Sequence, residues 1–164
     1  MMEEKEKAWK TVSSKYLFRR PWLTVRCEDM LLPNGNHIPE YYILEYPDWV
    51  NTIAITKDGK FVFVRQYRPG LGRTSYELCA GVCDKEDASP LVSAQRELWE
   101  ETGYGKGNWQ EYMVISANPS THTNLTHCFL ATDVEPIDHQ HLEDTEDLSV
   151  HLLTFEEVKQ LLEN

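Results

Sequence analysis

One helix in this chain is punctuated at both ends, and the punctuation fixes which of its side chains must meet a core. Ser89 stands ahead of Pro90, and Gly103 closes the run PLVSAQRELWEET. A serine can accept from the free N–H groups of a first turn. Proline at the first helical position loses nothing there, and glycine can take the left-handed residue that ends a helix. The predicted helix covers about residues 90–102. Leu91, Ala94 and Leu98 recur on it at three- and four-residue spacing, an apolar stripe that needs a facing surface. Glu97, Glu100 and Glu101 border that stripe and converge on one patch. Like charges partly withdrawn from water raise one another's pKa or demand a cation. Three carboxylates at this spacing suit a hard divalent ion such as Mg²⁺ or Mn²⁺. Arg96 lies one turn before Glu100, at ion-pair spacing. A solvated helix face laced with ion pairs has the same pattern, so the helix alone does not decide its chemistry.

The other strong periodicities are those of strands. WLTVRCEDMLL and HIPEYYILEY flank the turn sequence PNGN, and VNTIAIT and FVFVRQY flank KDGK. Each pair reads as a hairpin, the second turning at Asp58-Gly59. SYELCAG reads as one short strand, with further strands in EYMVISA, LTHCFLATDV and VHLLTF. Thr154 and Glu157 form a capping-box pattern ahead of Val158, Leu161 and Leu162, which predicts a second helix. Residues 1–15 are polar and read as a frayed or helical segment, with a single domain over 16–164. EPIDHQHLEDTEDL is a long acidic loop, of a length that is usually functional or disordered. Two helices that do not alternate regularly with strands predict an α+β fold.

Twenty-seven acids against sixteen bases give a net charge of −11. Such a surface repels nucleic-acid polymers, while a local arginine cluster or a bound cation can still hold a small anion. The opening MMEEKEKAWK has no apolar core of a secretory signal, and no apolar run reaches bilayer length. Cys79 and Cys83 in CAGVC miss the CxxC spacing of metal and redox motifs, and Cys27 and Cys128 stand alone. All four read as reduced thiols of a cytoplasmic protein. His122, His127, His139 and His141 read as polar loop and strand residues rather than ligands.

Gly81 to Tyr104 resembles the Nudix box, G-x5-E-x7-R-E-U-x-E-E-x-G-U with U bulky and apolar. Its second half, RELWEETGY, matches at every specified position. YELCAG resembles the E-x-x-A-G strand of the ADP-ribose pyrophosphatase branch, as do RQYRPG and ANPSTHTN with the later HCFLA. The resemblance spans roughly residues 20–162 and implies an α/β/α sandwich with a mixed central sheet. It also implies N-terminal antiparallel strands, about residues 16–46, at a homodimer interface. The implied activity is Mg²⁺-dependent hydrolysis of a nucleoside diphosphate sugar, first of all ADP-ribose to AMP and ribose 5-phosphate. Another nucleotide sugar such as GDP-mannose, or a non-catalytic nucleotide-binding regulator, are the alternatives.

The resemblance also implies roles. Metal ligands would be Glu97, Glu100, Glu101 and the carbonyl of Ala80, with Glu77 beside them. Arg96 would orient Glu100 or Glu77, and Arg68, ahead of Arg65, would hold phosphate. Glu143 or Glu146 in the late acidic loop would act as general base. Trp22, Tyr41 and Tyr42 on the N-terminal strands would stack on the nucleobase. One departure stands out: Arg96 follows Gly81 by one residue more than the pattern specifies, which leaves the first acid of the box open between Glu86 and Asp87.

Overall fold

The structure is a computed structural model that describes residues 7–163. The chain divides into two compact units. One runs to Pro47 and takes in Ser116–Asn124; the other comprises Asp48–Ile115 and the chain from Leu125 on.

The first unit is a three-stranded antiparallel sheet, β1 (Lys10–Arg20), β2 (Leu23–Leu31) and β3 (His37–Glu45), in that spatial order. The β2–β3 turn forms at PNGN: Gly35 takes φ 86° and its N–H donates to the Leu32 carbonyl at 2.9 Å. β1 corrects the expectation for residues 1–15. From Lys10 onward the segment is a strand paired with β2, and residues 1–6 lie outside the described residues. The largely polar Lys10–Lys15 hides the start of the strand, because both faces of β1 are exposed and no apolar alternation is required of it. The segment 116–124 joins this unit through Leu44, whose N–H donates to Thr121 and whose carbonyl accepts from Thr123.

The second unit holds β4 (Trp49–Thr56), β5 (Phe61–Arg68), β6 (Arg73–Glu77), β7 (Cys79–Val82), α1 (Pro90–Thr102), β8 (Tyr104–Gly105), β9 (Asn108–Ile115), β10 (Thr126–Pro136), β11 (Leu148–Leu153) and α2 (Phe155–Glu163). Its sheet runs β11-β5-β4-β10-β8, with β6 on β5, β7 on β4 and β9 on β10. β4 and β10 pair in parallel and the other pairs are antiparallel, so the sheet is mixed. SYELCAG is two strands rather than one. The chain breaks at Leu78, leaving Glu77 opposite Val64 of β5 and setting Cys79 opposite Thr52 of β4.

The helices take opposite faces of β5. Val62 and Val64 point into a core with Ala54, Cys79, Ala131, Val134, Leu148 and the fully buried Leu98 of α1. Phe61, of the other parity, stacks on Phe155 of α2 at 6.3 Å, and Phe63 lines a groove with Val158 and Leu161. Both helix starts follow their sequence signals. Ser89 accepts from the Val92 N–H, and Gly103 takes φ 72° and donates to Trp99. Thr154 and Glu157 exchange the reciprocal bonds of a capping box. The buried stripe of α1 differs from the expected one. Leu91 is exposed, and the residues that face the sheet are Ser93, Ala94, Leu98, Glu101 and Thr102.

Candidate active site

Glu101 lies within the buried stripe of α1, at 4% exposure, where the sequence pattern set it at the border. Its carboxylate accepts from the Ala80 N–H at 3.2 Å. Burial, with the charges of Glu97 and Glu146 added to it, pushes the Glu101 carboxyl up to about 8, against the pull of the Ala80 hydrogen bond and of Arg68. Glu97 is raised as well, by burial first, with Glu100 and Glu146 adding to it and Arg96 opposing. Glu97 has its room because residue 81 is glycine. A Cβ there would stand 2.1 Å from the Glu97 carboxyl carbon.

Arg96 ties the helix acids together. One guanidinium nitrogen donates to Glu97 at 3.0 Å and to Glu100 at 2.9 Å. The other donates to the Val82 carbonyl at 3.0 Å and to Asp87 at 3.1 Å, and Nε also reaches Asp87, at 3.2 Å. Burial works against this guanidinium's charge, but the bonds to Asp87 and Glu100 outweigh it and hold the pKa above the ordinary value. Asp87, rather than the exposed Glu86, therefore takes the bracing position in the loop before α1. Arg96 orients Glu97 and Glu100 and does not touch Glu77.

Glu77 has its own cation. Arg68 donates to it through Nε at 3.0 Å and through a terminal nitrogen at 2.6 Å, and the Glu77 hydrogen bond raises the arginine's pKa. Glu101 also feels the Arg68 charge. Arg65, of the opposite parity on β5, turns away and lies over the Tyr76 ring at 5.7 Å. Of the two arginines in VRQYR, only Arg68 belongs to the acidic patch.

The late acidic loop is anchored on the carboxyl end of α1, where helix carbonyls lack internal donors. Ile137 and Asp138 N–H groups donate to Gly103, His141 N–H to Glu100 at 2.8 Å, and the Gln140 side chain to Glu101 at 2.7 Å. Gly103 fits only as glycine, since a Cβ would stand 2.2 Å from the Asp138 carbonyl oxygen. Two residues of the loop turn back on each other: Glu143 N–H donates to the Glu146 carboxylate and Glu146 N–H to the Glu143 carbonyl. Glu146 is the one whose charge acts on both Glu97 and Glu101.

Trp22, Tyr41 and Tyr42 belong to the first unit, and the acids to the second. Trp22 is in the β1–β2 turn rather than in a strand, at 75% exposure. Tyr41 donates to the Ser120 carbonyl at 2.5 Å and packs edge-on against Trp9; Tyr42 donates to Glu40. The anchoring role of Asp138, Gln140 and His141 had no sequence signal beyond the length of their loop.

The gathered donors around Glu101 are all carboxylate oxygens, and burial makes their charge costly. That is the donor set of a hard divalent cation. A family model described as NUDIX domain matches residues 46–164, and one described as nucleoside diphosphate sugar hydrolase N-terminal domain matches residues 9–44. Over 156 residues the chain is 31% identical to an ADP-ribose pyrophosphatase of Bacillus subtilis (strain 168), covering 94% of this chain and 83% of that protein. It is 33% identical over 122 residues to a methanol dehydrogenase activator of Bacillus methanolicus, covering 74% of this chain and 65% of the relative. In fold it resembles the crystal structure of an ADP compounds hydrolase, with a TM-score of 0.84 at 22% identity over 98% of this chain and 86% of that one.

Proposed function

Because the chain belongs to the NUDIX family, a hydrolase family that uses divalent metal, we propose that it hydrolyses ADP-ribose to AMP and ribose 5-phosphate with Mg²⁺ as its ion. The observation that carries this reading is the buried carboxyl of Glu101, pushed up to about 8 beside Glu97 and Glu146. A protein holds like charges so close in low dielectric where a cation is their partner. Glu97, Glu100, Glu101 and the Ala80 carbonyl would hold the ion. Mg²⁺, when bound, supplies counter-charge to the diphosphate and activates the attacking water.

The chain's own groups do the rest. Arg68 offers its guanidinium to a phosphate, and Glu77 fixes the plane of that fork. Arg96 holds Glu97 and Glu100 in place from behind while Asp87 holds Arg96. Glu146 takes the proton of the attacking water, ahead of Glu143, because its charge is the one felt by both Glu97 and Glu101. Trp22 and Tyr42, whose rings are exposed, are the aromatics open to a nucleobase. The four free cysteines suit a reducing compartment, and we place the protein in the cytoplasm. No helix among the described residues is long and apolar enough to cross a membrane.

The likeness to a methanol dehydrogenase activator favours a second reading, in which the domain regulates another enzyme. One experiment separates the readings. Purified protein is incubated with ADP-ribose, GDP-mannose and other nucleoside diphosphate sugars in Mg²⁺, Mn²⁺ or EDTA, and the products are resolved. AMP and ribose 5-phosphate should form fastest from ADP-ribose and not at all in EDTA. Preference for another sugar overturns the substrate, and no turnover of any of them with any divalent ion overturns the hydrolase.

A further inference from the structure

Among the described residues, Asp138, His139 and His141 bring three metal-ligating atoms within 4.8 Å of one another, on the outer side of the late loop. From the sequence these histidines read as polar loop residues rather than ligands. Here the two imidazoles converge on one carboxylate: His139 Nδ1 lies 2.7 Å from one Asp138 oxygen and His141 Nε2 lies 3.0 Å from the other. The rings are 4.3 Å apart, and His141 packs on the Trp99 ring, also at 4.3 Å.

The cluster is built on fixed backbone. Ile137 and Asp138 donate to Gly103, His141 to Glu100 and Gln140 to Glu101, so the residues on either side of the donors are bound to the end of α1. Trp99 fixes the plane of the His141 ring. The carboxyl end of a helix also carries partial negative charge, which favours a cation beside it.

We infer that Asp138, His139 and His141 form a second cation site, which takes a borderline divalent ion such as Zn²⁺, Co²⁺ or Ni²⁺ through two imidazole nitrogens and one carboxylate oxygen. Imidazole suits these ions, and oxygen-only sites suit Mg²⁺, so the two sites differ in kind. Small side-chain rotations bring the three donors to the roughly 2.0–2.2 Å shell of a zinc-like ion. Three protein ligands leave a position for water, as in exchangeable rather than closed structural sites. The ion's place is on the segment that leads from β10 to Glu143 and Glu146 and is bonded to the end of α1, so occupancy stiffens the approach to the acidic site.

The test is a Co²⁺ titration of the full chain in saturating Mg²⁺, which keeps the oxygen-donor site filled. It is read by the visible absorption of imidazole-bound Co²⁺ and by quenching of Trp99 fluorescence, with Trp99→Phe as the control. His139 is 78% exposed, so His139→Ala keeps the fold, and a thermal melt checks His141→Ala. One Co²⁺ per chain is expected, weakened at least tenfold in either histidine variant and unchanged in Glu97→Gln. Equal binding in the histidine variants, loss only in Glu97→Gln, or no uptake would each overturn the site. None of these outcomes depends on turnover, so the site stands or falls apart from the proposed hydrolysis.

Discussion

Glu101 occupies a position on α1 where the facing sheet would accept an apolar side chain. Its folded pKa of about 8 lies above the 4.5 of a free glutamate. Between those values the folded protein keeps a proton that the unfolded chain has released. Stability is therefore lost as pH rises through that window. In EDTA the Tm should fall from pH 5 to pH 8.5, and the fall should be shallower in Glu101→Gln. Added Mg²⁺ should restore more at pH 8 than at pH 6. A Gln variant with the wild-type slope in scanning calorimetry would place the proton elsewhere. Gly81→Ala separates site from fold. The new methyl meets only the far end of the Glu97 side chain, so the Tm should move by no more than about 2–4 °C, as for ~1 kcal/mol. The Mg²⁺ concentration for half-maximal activity should rise at least tenfold. The three glutamates of α1 were legible from helical spacing. That Glu101 is inside and Leu91 outside was not, because spacing defines a stripe only to within a residue until the facing sheet is known. Asp87 was likewise undecidable against Glu86 until Arg96 was seen to reach it.

At the scale of elements, hairpins and caps were readable because each rests on local chemistry: NG, DG, Ser-Pro and Thr-x-x-Glu all act within four residues. The break at Leu78 was not, since both halves of SYELCAG favour strand and only the neighbouring β5 and β4 force a change of partner. β1 stayed hidden for want of a buried face. The joint between α1 and the late loop carries a prediction of its own. Gly103→Ala adds a Cβ at φ 72° and within 2.2 Å of the Asp138 carbonyl. It should cost more than the ~1 kcal/mol of an ordinary glycine cap, seen as a lower urea midpoint at unchanged m. Because the same joint holds the loop of Glu146, the proposed base, kcat should fall in the soluble fraction even where the variant stays folded. Full activity at reduced stability would show that the joint does not position Glu146.

For the whole molecule, the open question in the first unit is what covers its sheet. Val12, Tyr16, Leu17 and Phe18 of β1 are 42–56% exposed, which is a large apolar share for a strand at a sheet edge. We propose a homodimer that covers this surface. Light scattering should give twice the chain mass of 19.1 kDa, and Phe18→Glu should shift it towards the monomer. A monomer at micromolar concentration would leave the face to another partner. The acidic balance of the chain was legible from composition, whereas membership of residues 116–124 in the first unit was not, because it rests on Leu44 meeting Thr121 and Thr123 across nearly half of the chain. The parallel pairing of β4 with β10 has a consequence in time. It is locked by Leu125 donating to Asp48, 77 residues away in sequence. No hairpin can seed that pairing, and the entropy of closing so long a loop must be met before any contact rewards it. On the ribosome, β4 through α1 emerge before β10, so this pairing of the sheet beneath the acidic site can close only once the later strand is out.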